Sequence, residues 1–243
     1  MVQGIYTIAS NKKIARDVYE MVLSGDTSAL TAPGQFLNIK IEGYFLRRPI
    51  SVCDWDGDTI TIVYKVVGAG TAAMSEMAAG QTLDVLAGLG NGFDMRKSGG
   101  TPLLVGGGVG SPPMAGLCRR LAAEGKSPTV VLGFASREDV FYEDKFRSLG
   151  AEVRIATADG SYGVHGFVTD AMAGITPSYF YACGPIPMLR AVSDALPADG
   201  QLSFEERMGC GFGACMGCSC QTKYGNKRIC RDGPVLTKGE VIW

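Results

Sequence analysis

Short apolar runs with period-2 alternation dominate the first third of the chain. They predict five strands, at residues 5–8, 18–23, 36–41, 50–53 and 59–66. One segment, 71–77, has a helical pattern, and the Asp- and Gly-rich segment 54–58 is typical of a hairpin turn. Successive short strands of this kind predict an antiparallel β-barrel, which we place at residues 1–96.

The pattern changes after the glycine-rich segment 86–93, where apolar strands begin to alternate with helices. Strands are predicted at 101–106, 128–134, 151–156 and 178–183, and helices at 113–124, 140–149, 168–172 and 187–196. This order predicts an α/β domain at 97–200, with a parallel sheet and right-handed crossovers. Residues 201–243 begin with a predicted strand at 202–206 and form a third, small module.

Composition narrows the class of protein. The chain has 243 residues, 46% of them apolar, and a formal net charge of −1. This length is sufficient for a sizeable core, and the near-neutral charge gives no electrostatic support to nucleic-acid binding or to an anionic membrane surface. The opening MVQGIYTIAS has neither the charged nor the apolar region of an export signal, so we expect reduced thiols and a cytoplasmic protein.

Four cysteines near the C-terminus carry the strongest chemical signal. Cys210, Cys215, Cys218 and Cys230 follow the order C-x4-C-x2-C…C, which is typical of a plant-type [2Fe–2S] cluster. Small residues between them leave backbone N–H groups free to approach the cluster sulfurs. A zinc site usually has two tight C-x2-C pairs and fits less well, as does a disulfide framework. Cys220 is an alternative third ligand to Cys218.

The barrel region contains an unusual pair of arginines in the string Arg47-Arg48-Pro49-Ile50-Ser51. A permanently charged guanidinium fork binds a diphosphate bidentately, which indicates a phosphate-containing ligand. The alternative is a surface arginine pair on an edge strand that Pro49 protects from further pairing.

Three further segments have the composition of nucleotide-binding turns. Residues 66–71 open the short predicted helix, with glycines that allow close approach and Thr71 as its N-cap. Residues 106–113 follow a strand and lead into a helix, as a pyrophosphate-binding turn does, although they do not match G-x-G-x-x-G. Residues 183–185 (Cys-Gly-Pro) end a parallel strand, where ligands gather, although Cys183 can equally be a packing residue. His165, the only histidine, does not indicate acid–base catalysis.

Taken together, these strings resemble the ferredoxin–NADP reductase superfamily over the whole chain. RRPIS (47–51), GNGF (90–93), LGFAS (132–136), DGSYG (159–163) and ERMGCGFGACMGC (206–218) are most similar to the electron-transfer subunits of dihydroorotate dehydrogenase B. The resemblance implies an FAD-binding barrel, a Rossmann-like NAD-binding α/β domain and a [2Fe–2S] module. It also implies a partner subunit that carries FMN, in a heterotetramer with two copies of each subunit.

The resemblance assigns roles to individual residues. Arg48 and the adjoining Pro49 and Ile50 would hold FAD, with Arg48 on its diphosphate and Ser51 beside the isoalloxazine. Family members often have Tyr or Phe where this chain has Ile50, so stacking on the flavin would come from elsewhere, such as Tyr64. The other implied cofactor-binding residues are Ile62, Val63, Tyr64, Gly70 and Thr71 for FAD, and Gly107, Gly108, Gly110, Asp159, Cys183, Gly184 and Pro185 for NAD. Cys183 and Ser51 would border the reacting rings as catalytic residues.

Two short segments after strands of the α/β domain bear on whether the chain binds NAD or NADP. NADP-dependent relatives place Ser-Arg after the third strand of this domain, where this chain has Thr157-Ala158-Asp159. A carboxylate at that position repels a 2′-phosphate and accepts a hydrogen bond from a ribose hydroxyl, which favours NAD. Ser136-Arg137, after the preceding strand, leaves NADP open.

The resemblance finally implies a function in pyrimidine biosynthesis. Electrons from dihydroorotate would pass from the FMN subunit through the cluster and FAD to NAD⁺. The alternative is a related reductase that serves ferredoxin, sulfur compounds or an oxygenase with the same three modules.

Overall fold

The computed structural model describes residues 1–243. Its first unit is a closed antiparallel barrel in the spatial order β1-β2-β5-β4-β3-β6. The strands are β1 (Val2–Ala15), β2 (Val18–Ser24), β3 (Phe36–Lys40), β4 (Arg48–Asp56), β5 (Thr59–Lys65) and β6 (Thr82–Leu89). Helix α1 (Ala69–Ser75) lies between β5 and β6. The predicted barrel is confirmed, and its interior is a core of 16 buried apolar residues.

Two strands of the barrel differ from the sequence prediction. Strand β6 covers much of the segment that was predicted as a glycine-rich connection, and it closes the barrel by pairing with both β1 and β3. Strand β4 continues through Asp56, so the segment predicted as a turn is mostly strand. Because β4 pairs with both β3 and β5, the edge-strand interpretation of the arginine pair is wrong.

The second unit is a seven-stranded sheet in the order β10-β9-β8-β7-β11-β12-β15. The elements after the barrel are β7 (Leu103–Gly107), α2 (Ser111–Ala123), β8 (Thr129–Phe134), α3 (Glu143–Ser148), β9 (Glu152–Thr157), β10 (Val164–His165), α4 (Val168–Ala171), β11 (Phe180–Cys183), α5 (Ile186–Ala195), β12 (Gly200–Ser203), β13 (Ser219–Thr222), β14 (Gly225–Arg228), α6 (Ile229–Asp232) and β15 (Val235–Thr237). Strands β13 and β14 pair only with each other, in a separate two-stranded sheet. The predicted parallel sheet is confirmed for β7 to β12. Two apolar cores, each of 21 buried residues, cover its two faces. No helix combines the length and the apolar character that crossing a membrane requires.

The C-terminal segment is joined to this sheet. Strand β12 pairs parallel with β11, and β15 pairs antiparallel with β12 at the edge of the sheet. Between β12 and β15 lie the cysteine loop, the β13–β14 hairpin and α6. The division into units at 1–96, 97–200 and 201–243 stays a prediction, because the last segment contributes a strand to the sheet of the second.

An ion-pair cluster holds the barrel against the α/β unit. The Asp54 carboxylate on β4 accepts hydrogen bonds from Arg119 Nε at 2.7 Å and Arg120 Nη1 at 2.8 Å, both on α2. The Arg120 guanidinium lies 3.6 Å from the centre of the Trp55 ring. Helix and strand approach closely at Gly116, where a Cβ atom would lie 2.4 Å from the Cys53 carbonyl oxygen. Partial burial would raise the pKa of Asp54, but the two arginines outweigh it and hold that pKa below its ordinary value.

Asp54→Asn is expected to lower the free energy of unfolding by about 2 kcal/mol at pH 7, because two part-buried guanidinium groups lose their charged acceptor. The folded-state pKa of Asp54 is depressed, so its stabilisation is complete above about pH 4 and is lost as the pH falls further. The thermal unfolding midpoints of the wild type and of Asp54→Asn should therefore differ most at neutral pH and become equal in acid. Asp58→Asn, in the exposed turn after β4, is the control and should change stability by less than about 0.5 kcal/mol. A constant difference between pH 7 and pH 3 would contradict the ion-pair explanation.

Candidate functional site

The outer wall of the barrel carries a cavity of about 370 Å³, which we call the barrel-side cavity. Seven of the residues that the sequence predicts for FAD line it: Arg48, Pro49, Ile50, Ser51, Val63, Tyr64 and Thr71. Strand pairing explains this grouping, because β4 and β5 are hydrogen-bonded neighbours and α1 follows β5 directly. The other two, Ile62 and Gly70, are not in the lining, and Ile62 lies fully buried in the barrel core.

The two arginines of the predicted string have different surroundings. The Arg47 guanidinium binds the Asp84 carboxylate at 2.9 Å and also the Asp84 carbonyl oxygen, which ties the start of β4 to β6. Arg48 has no carboxylate partner; it lies 5.2 Å from the centre of the Tyr44 ring and donates to the Leu46 carbonyl. A Cβ atom at residue 70 would lie 2.3 Å from Arg48 Nε, so only glycine leaves room for the guanidinium. An unpaired cation held in this way fits a diphosphate.

Helix α1 begins earlier than predicted, which changes the role of Thr71. Gly68 is the N-cap and Thr71 lies inside the first turn. The Thr71 hydroxyl oxygen accepts hydrogen bonds from the backbone N–H groups of Val67 at 2.9 Å and Gly68 at 3.3 Å. The expectation that Thr71 is the N-cap is therefore wrong. The backbone N–H groups of Val67 and Gly68 already have a hydrogen-bond acceptor within the protein, the Thr71 hydroxyl.

Tyr64 is buried, although it reaches the cavity wall. Its hydroxyl donates to Asn11 Oδ1 at 3.0 Å, and its ring stacks on Tyr19 with centres 5.8 Å apart. Burial raises the pKa of Tyr64 to about 12. The side chain is therefore a fixed, neutral part of the wall.

The carboxyl ends of the parallel strands border a second cavity of about 710 Å³, the sheet-side cavity. Gly107 and Gly108, after β7, and Gly184 and Pro185, after β11, line it as the sequence predicts for NAD. After the turn that follows β7, Ser111 begins helix α2, and its Oγ is buried and has no hydrogen-bond partner. Glycine walls and an unpartnered hydroxyl at the start of α2 fit a dinucleotide.

The other predicted NAD residues lie outside this lining. Gly110 is in contact with β11, where a Cβ atom would lie 2.2 Å from the Cys183 carbonyl oxygen. The Cys183 thiol is buried against Ser203, and burial raises its pKa to about 12. The exposed Asp159 carboxylate accepts hydrogen bonds from the Ser161 N–H at 3.0 Å and the Ser161 hydroxyl at 2.6 Å. The roles of these residues with NAD stay predictions.

The Ser-Arg pair that left NADP open is engaged within the protein. The Ser136 hydroxyl donates to Asp139 at 2.9 Å, and the Arg137 guanidinium lies 5.4 Å from the centre of the Tyr162 ring. Neither residue lines the sheet-side cavity.

The two cavities meet at three shared residues, Lys65, Val109 and Glu205. Lys65 ends β5 and Glu205 follows β12, so the junction joins the barrel to the sheet. Burial raises the pKa of the Glu205 carboxyl. No local pattern indicated Lys65 as a site residue, because this part of the wall forms only when two segments distant in the chain come together.

Hydrogen bonds group the four cysteines into two pairs. The backbone N–H of Cys215 donates to Cys210 Sγ, and the backbone N–H of Cys230 donates to Cys218 Sγ. No group of three or more Cys, His, Asp or Glu side chains is arranged to hold a single metal ion. Two pairs fit a cluster with two iron atoms, each bound by two thiolates, better than they fit mononuclear zinc.

Backbone donors point at these sulfurs, as the small residues of the loop predict. Cys210 Sγ accepts from the N–H of Ala214 at 3.3 Å and of Cys215 at 3.5 Å, and Cys218 Sγ accepts from the Cys230 N–H at 3.4 Å. Slight burial opposes ionisation of Cys210, but the backbone donors outweigh it and lower its pKa to about 6. Cys220 lies on β13 opposite Lys227 and is in neither pair.

The side chain of Asn38 connects the barrel strands β3 and β4, beside the barrel-side cavity, to the cysteine loop. The buried Asn38, on β3, lies opposite Pro49 of β4, and its Nδ2 donates to the Cys210 carbonyl oxygen at 3.1 Å. Gly211 passes so close that a Cβ atom there would lie 2.3 Å from Asn38 Nδ2. The loop therefore rests directly against the barrel.

Comparison with known proteins defines the class. One solved structure matches almost the whole chain: the NADH-dependent reduced ferredoxin-NADP oxidoreductase studied for flavin-based electron bifurcation superposes with a TM-score of 0.90 at 30% identity, covering 99% of this chain and 90% of that one. A ferredoxin reductase in carbazole 1,9a-dioxygenase shares the fold at a TM-score of 0.69 and 22% identity, covering 81% of this chain and 67% of that one. The barrel, the sheet and the cysteine module thus define a reductase of the ferredoxin–NADP reductase fold.

Family models and relatives with similar sequences define a narrower family within this fold. The model described as "Iron-sulfur cluster binding domain of dihydroorotate dehydrogenase B" matches residues 205–242, and that of the "Oxidoreductase NAD-binding domain" matches 104–194. The electron transfer subunit of dihydroorotate dehydrogenase B (NAD(+)) from Shouchella clausii is 46% identical, covering 99% of this chain and 98% of the relative. That from a Geobacillus species is 45% identical, covering 100% and 99%. The chain belongs to the family of dihydroorotate dehydrogenase B electron transfer subunits.

Proposed function

We propose that the chain carries reducing equivalents between an FMN-containing dihydroorotate dehydrogenase subunit and NAD⁺, with a [2Fe–2S] cluster and FAD as its carriers, in the synthesis of UMP. The observation that carries this proposal is the continuity of the sites. The sheet-side cavity meets the barrel-side cavity at Glu205, and Asn38 connects the strands of the barrel-side cavity to Cys210. When bound, FAD exchanges an electron pair with nicotinamide and single electrons with an iron–sulfur centre.

The residues of the chain bind and orient rather than transfer protons. Arg48 would neutralise the FAD diphosphate, Ser51 would border the flavin ring, and Gly107 with Gly108 would admit the pyrophosphate of NAD. At the junction, Glu205 lines both cavities, so it would lie near a bound nicotinamide and a bound flavin. Burial raises the pKa of this carboxyl, and its ionised form would favour a cationic, oxidised nicotinamide bound beside it.

The partner docks at the cysteine loop. Cys215 is exposed, and the apolar side chains of Phe212 and Met216 beside it are 45% and 54% exposed. Apolar residues next to solvent-facing thiols suit a surface that another subunit covers. We propose a heterotetramer with two copies of each subunit, working in the cytoplasm, where the eight free cysteines stay reduced.

Co-expression with an FMN-containing dihydroorotate dehydrogenase subunit tests the proposal. The chain alone is expected to show flavin and iron–sulfur absorption and to oxidise NADH with an artificial acceptor. Adding the partner should confer dihydroorotate-dependent reduction of NAD⁺, with much slower reduction of NADP⁺, and light scattering should give the mass of two copies of each subunit. NADH oxidation without any dihydroorotate activity would instead favour a reductase that serves ferredoxin, sulfur compounds or an oxygenase.

A further inference from the structure

One arginine bridges the two segments that carry the cysteines. Arg228 is the last residue of β14 and lies two positions before Cys230. Its Nη1 donates to the Gly213 carbonyl oxygen at 2.9 Å, and Gly213 lies between Cys210 and Cys215 in the loop. A single side chain therefore connects the loop that holds three thiols to the helix that holds the fourth.

The Arg228 side chain is held in place from several directions. Its Nε donates to Asp232 Oδ2 at 3.1 Å, and its own backbone N–H donates to the same oxygen at 2.9 Å. Hairpin pairing puts Arg228 opposite Ser219, the residue after Cys218. The side chain is only 23% exposed, so the guanidinium is a fixed charge rather than a mobile one.

This charge lies beside the thiols. The Arg228 guanidinium contacts Gly213, between Cys210 and Cys215, and Arg228 is paired with Ser219, the residue after Cys218. Its ion pair with the Asp232 carboxylate offsets part of its charge. A cluster bound by four thiolates becomes more negative when it accepts one electron, and a fixed cation nearby stabilises that reduced form over the oxidised one. Hydrogen bonding and charge around the sulfurs are established determinants of cluster potential.

We propose that Arg228 is a positioning residue for the cluster, which raises its reduction potential and fixes the Gly213 loop around it. The inference rests on the proposed function only for the presence of the cluster. Its consequence is directional: with Arg228 the cluster accepts electrons from a donor more readily and passes them to FAD less readily.

A redox titration of the full chain, with its FAD and cluster bound, tests this proposal. The reduced cluster is followed by electron paramagnetic resonance at a series of fixed potentials. Arg228→Gln removes the charge. At the potential where the wild-type cluster is half reduced, the ratio of reduced to oxidised cluster in this variant is expected to be roughly tenfold lower. This corresponds to a downward shift of the reduction potential by about 59 mV for one electron. Arg228→Lys keeps the charge and should stay closer to wild type. Asp232→Asn removes the opposing charge and should shift the potential upward.

The matched control is Arg147→Gln. Arg147 also pairs with a carboxylate one helical turn away, Glu143, but it lies on α3. Helix α3 packs on β9, whereas the cysteine loop follows β12. Strands β9 and β12 are four positions apart in the sheet, which separates them by about 19 Å. This separation exceeds the distance over which salt screens the interaction of surface charges. This variant should leave the cluster potential unchanged.

The outcomes separate a charge effect from a structural one. If Arg228→Gln retains the cluster and keeps the wild-type potential, the proposal is wrong. If Arg228→Gln fails to retain the cluster, Asp232→Asn decides, because an unchanged potential there overturns the proposal and an upward shift supports it. The titration uses neither dihydroorotate nor the partner subunit, so it fails or succeeds independently of the proposed function.

Discussion

Cys218→Ser is expected to remove the [2Fe–2S] cluster and with it the dihydroorotate-dependent reduction of NAD⁺. Cys218 is buried, pairs with Cys230 and accepts the Cys230 N–H, so no neighbouring thiol can replace it without rearranging the loop. We expect a loss of at least about 100-fold, because changes to groups that only support a metal ligand already cost 10–100-fold. Iron content and the visible spectrum measure the first effect, and steady-state activity of the co-expressed complex measures the second.

Cys220→Ser is the matched control, since it changes the same atom type two residues away. Cys220 lies on β13 opposite Lys227, outside both thiol pairs, so this variant should keep its iron and its activity. NADH oxidation with an artificial acceptor needs only the flavin and should survive in both variants. Retention of iron by Cys218→Ser together with its loss from Cys220→Ser would reverse the ligand assignment.

Arg48→Ala is expected to weaken FAD binding by about 100-fold. Two charge-assisted hydrogen bonds to a diphosphate contribute about 3 kcal/mol, and each 1.4 kcal/mol corresponds to a factor of ten. Titration of the apoprotein with FAD, followed by flavin fluorescence, measures the dissociation constant. Gly70→Ala should have a smaller effect in the same direction, because its Cβ atom would lie 2.3 Å from Arg48 Nε and would displace the guanidinium without removing it.

The neighbouring arginine provides the control. The Arg47 guanidinium is already bound to the Asp84 carboxylate, and Arg47 is not part of the cavity lining. Arg47→Ala should therefore lower the thermal midpoint of the barrel while leaving FAD affinity within about threefold. Wild-type affinity in Arg48→Ala, combined with lost affinity in Arg47→Ala, would show that the wrong arginine was assigned to the diphosphate.

Sequence patterns located most strands of the barrel but missed the one that closes it. Strand β6 contains Gly88, which has a φ of +70° and packs against Ala29. In the sequence such glycines indicate a loop, whereas here Gly88 marks an irregularity in β3–β6 pairing. The outer half of β1 was also missed, because residues such as Lys12 and Lys13 pair through their backbone and show no apolar alternation.

Long-range contacts were beyond the reach of sequence patterns. Asp54 was predicted in a turn, and its partners on α2 lie 65 and 66 residues further along the chain. The edge strand β15 comes from the segment predicted as a separate module, and its place depends on pairing with β12. Neither position has a local signal, because a carboxylate and a short apolar run are compatible with many environments.

The sequence by itself determined the local chemistry of this protein. The cysteine spacing, the glycine turns at the ends of strands and the order of elements are properties of neighbouring residues, and they sufficed for the fold class and for a resemblance to the family. Only the tertiary structure decided that Arg47 binds Asp84 on β6, that the cysteines fall into two pairs, and that Arg228 reaches Gly213. The physical reason is that these features are contacts between segments distant along the chain, which exist only once the barrel, the sheet and the cysteine loop have packed together.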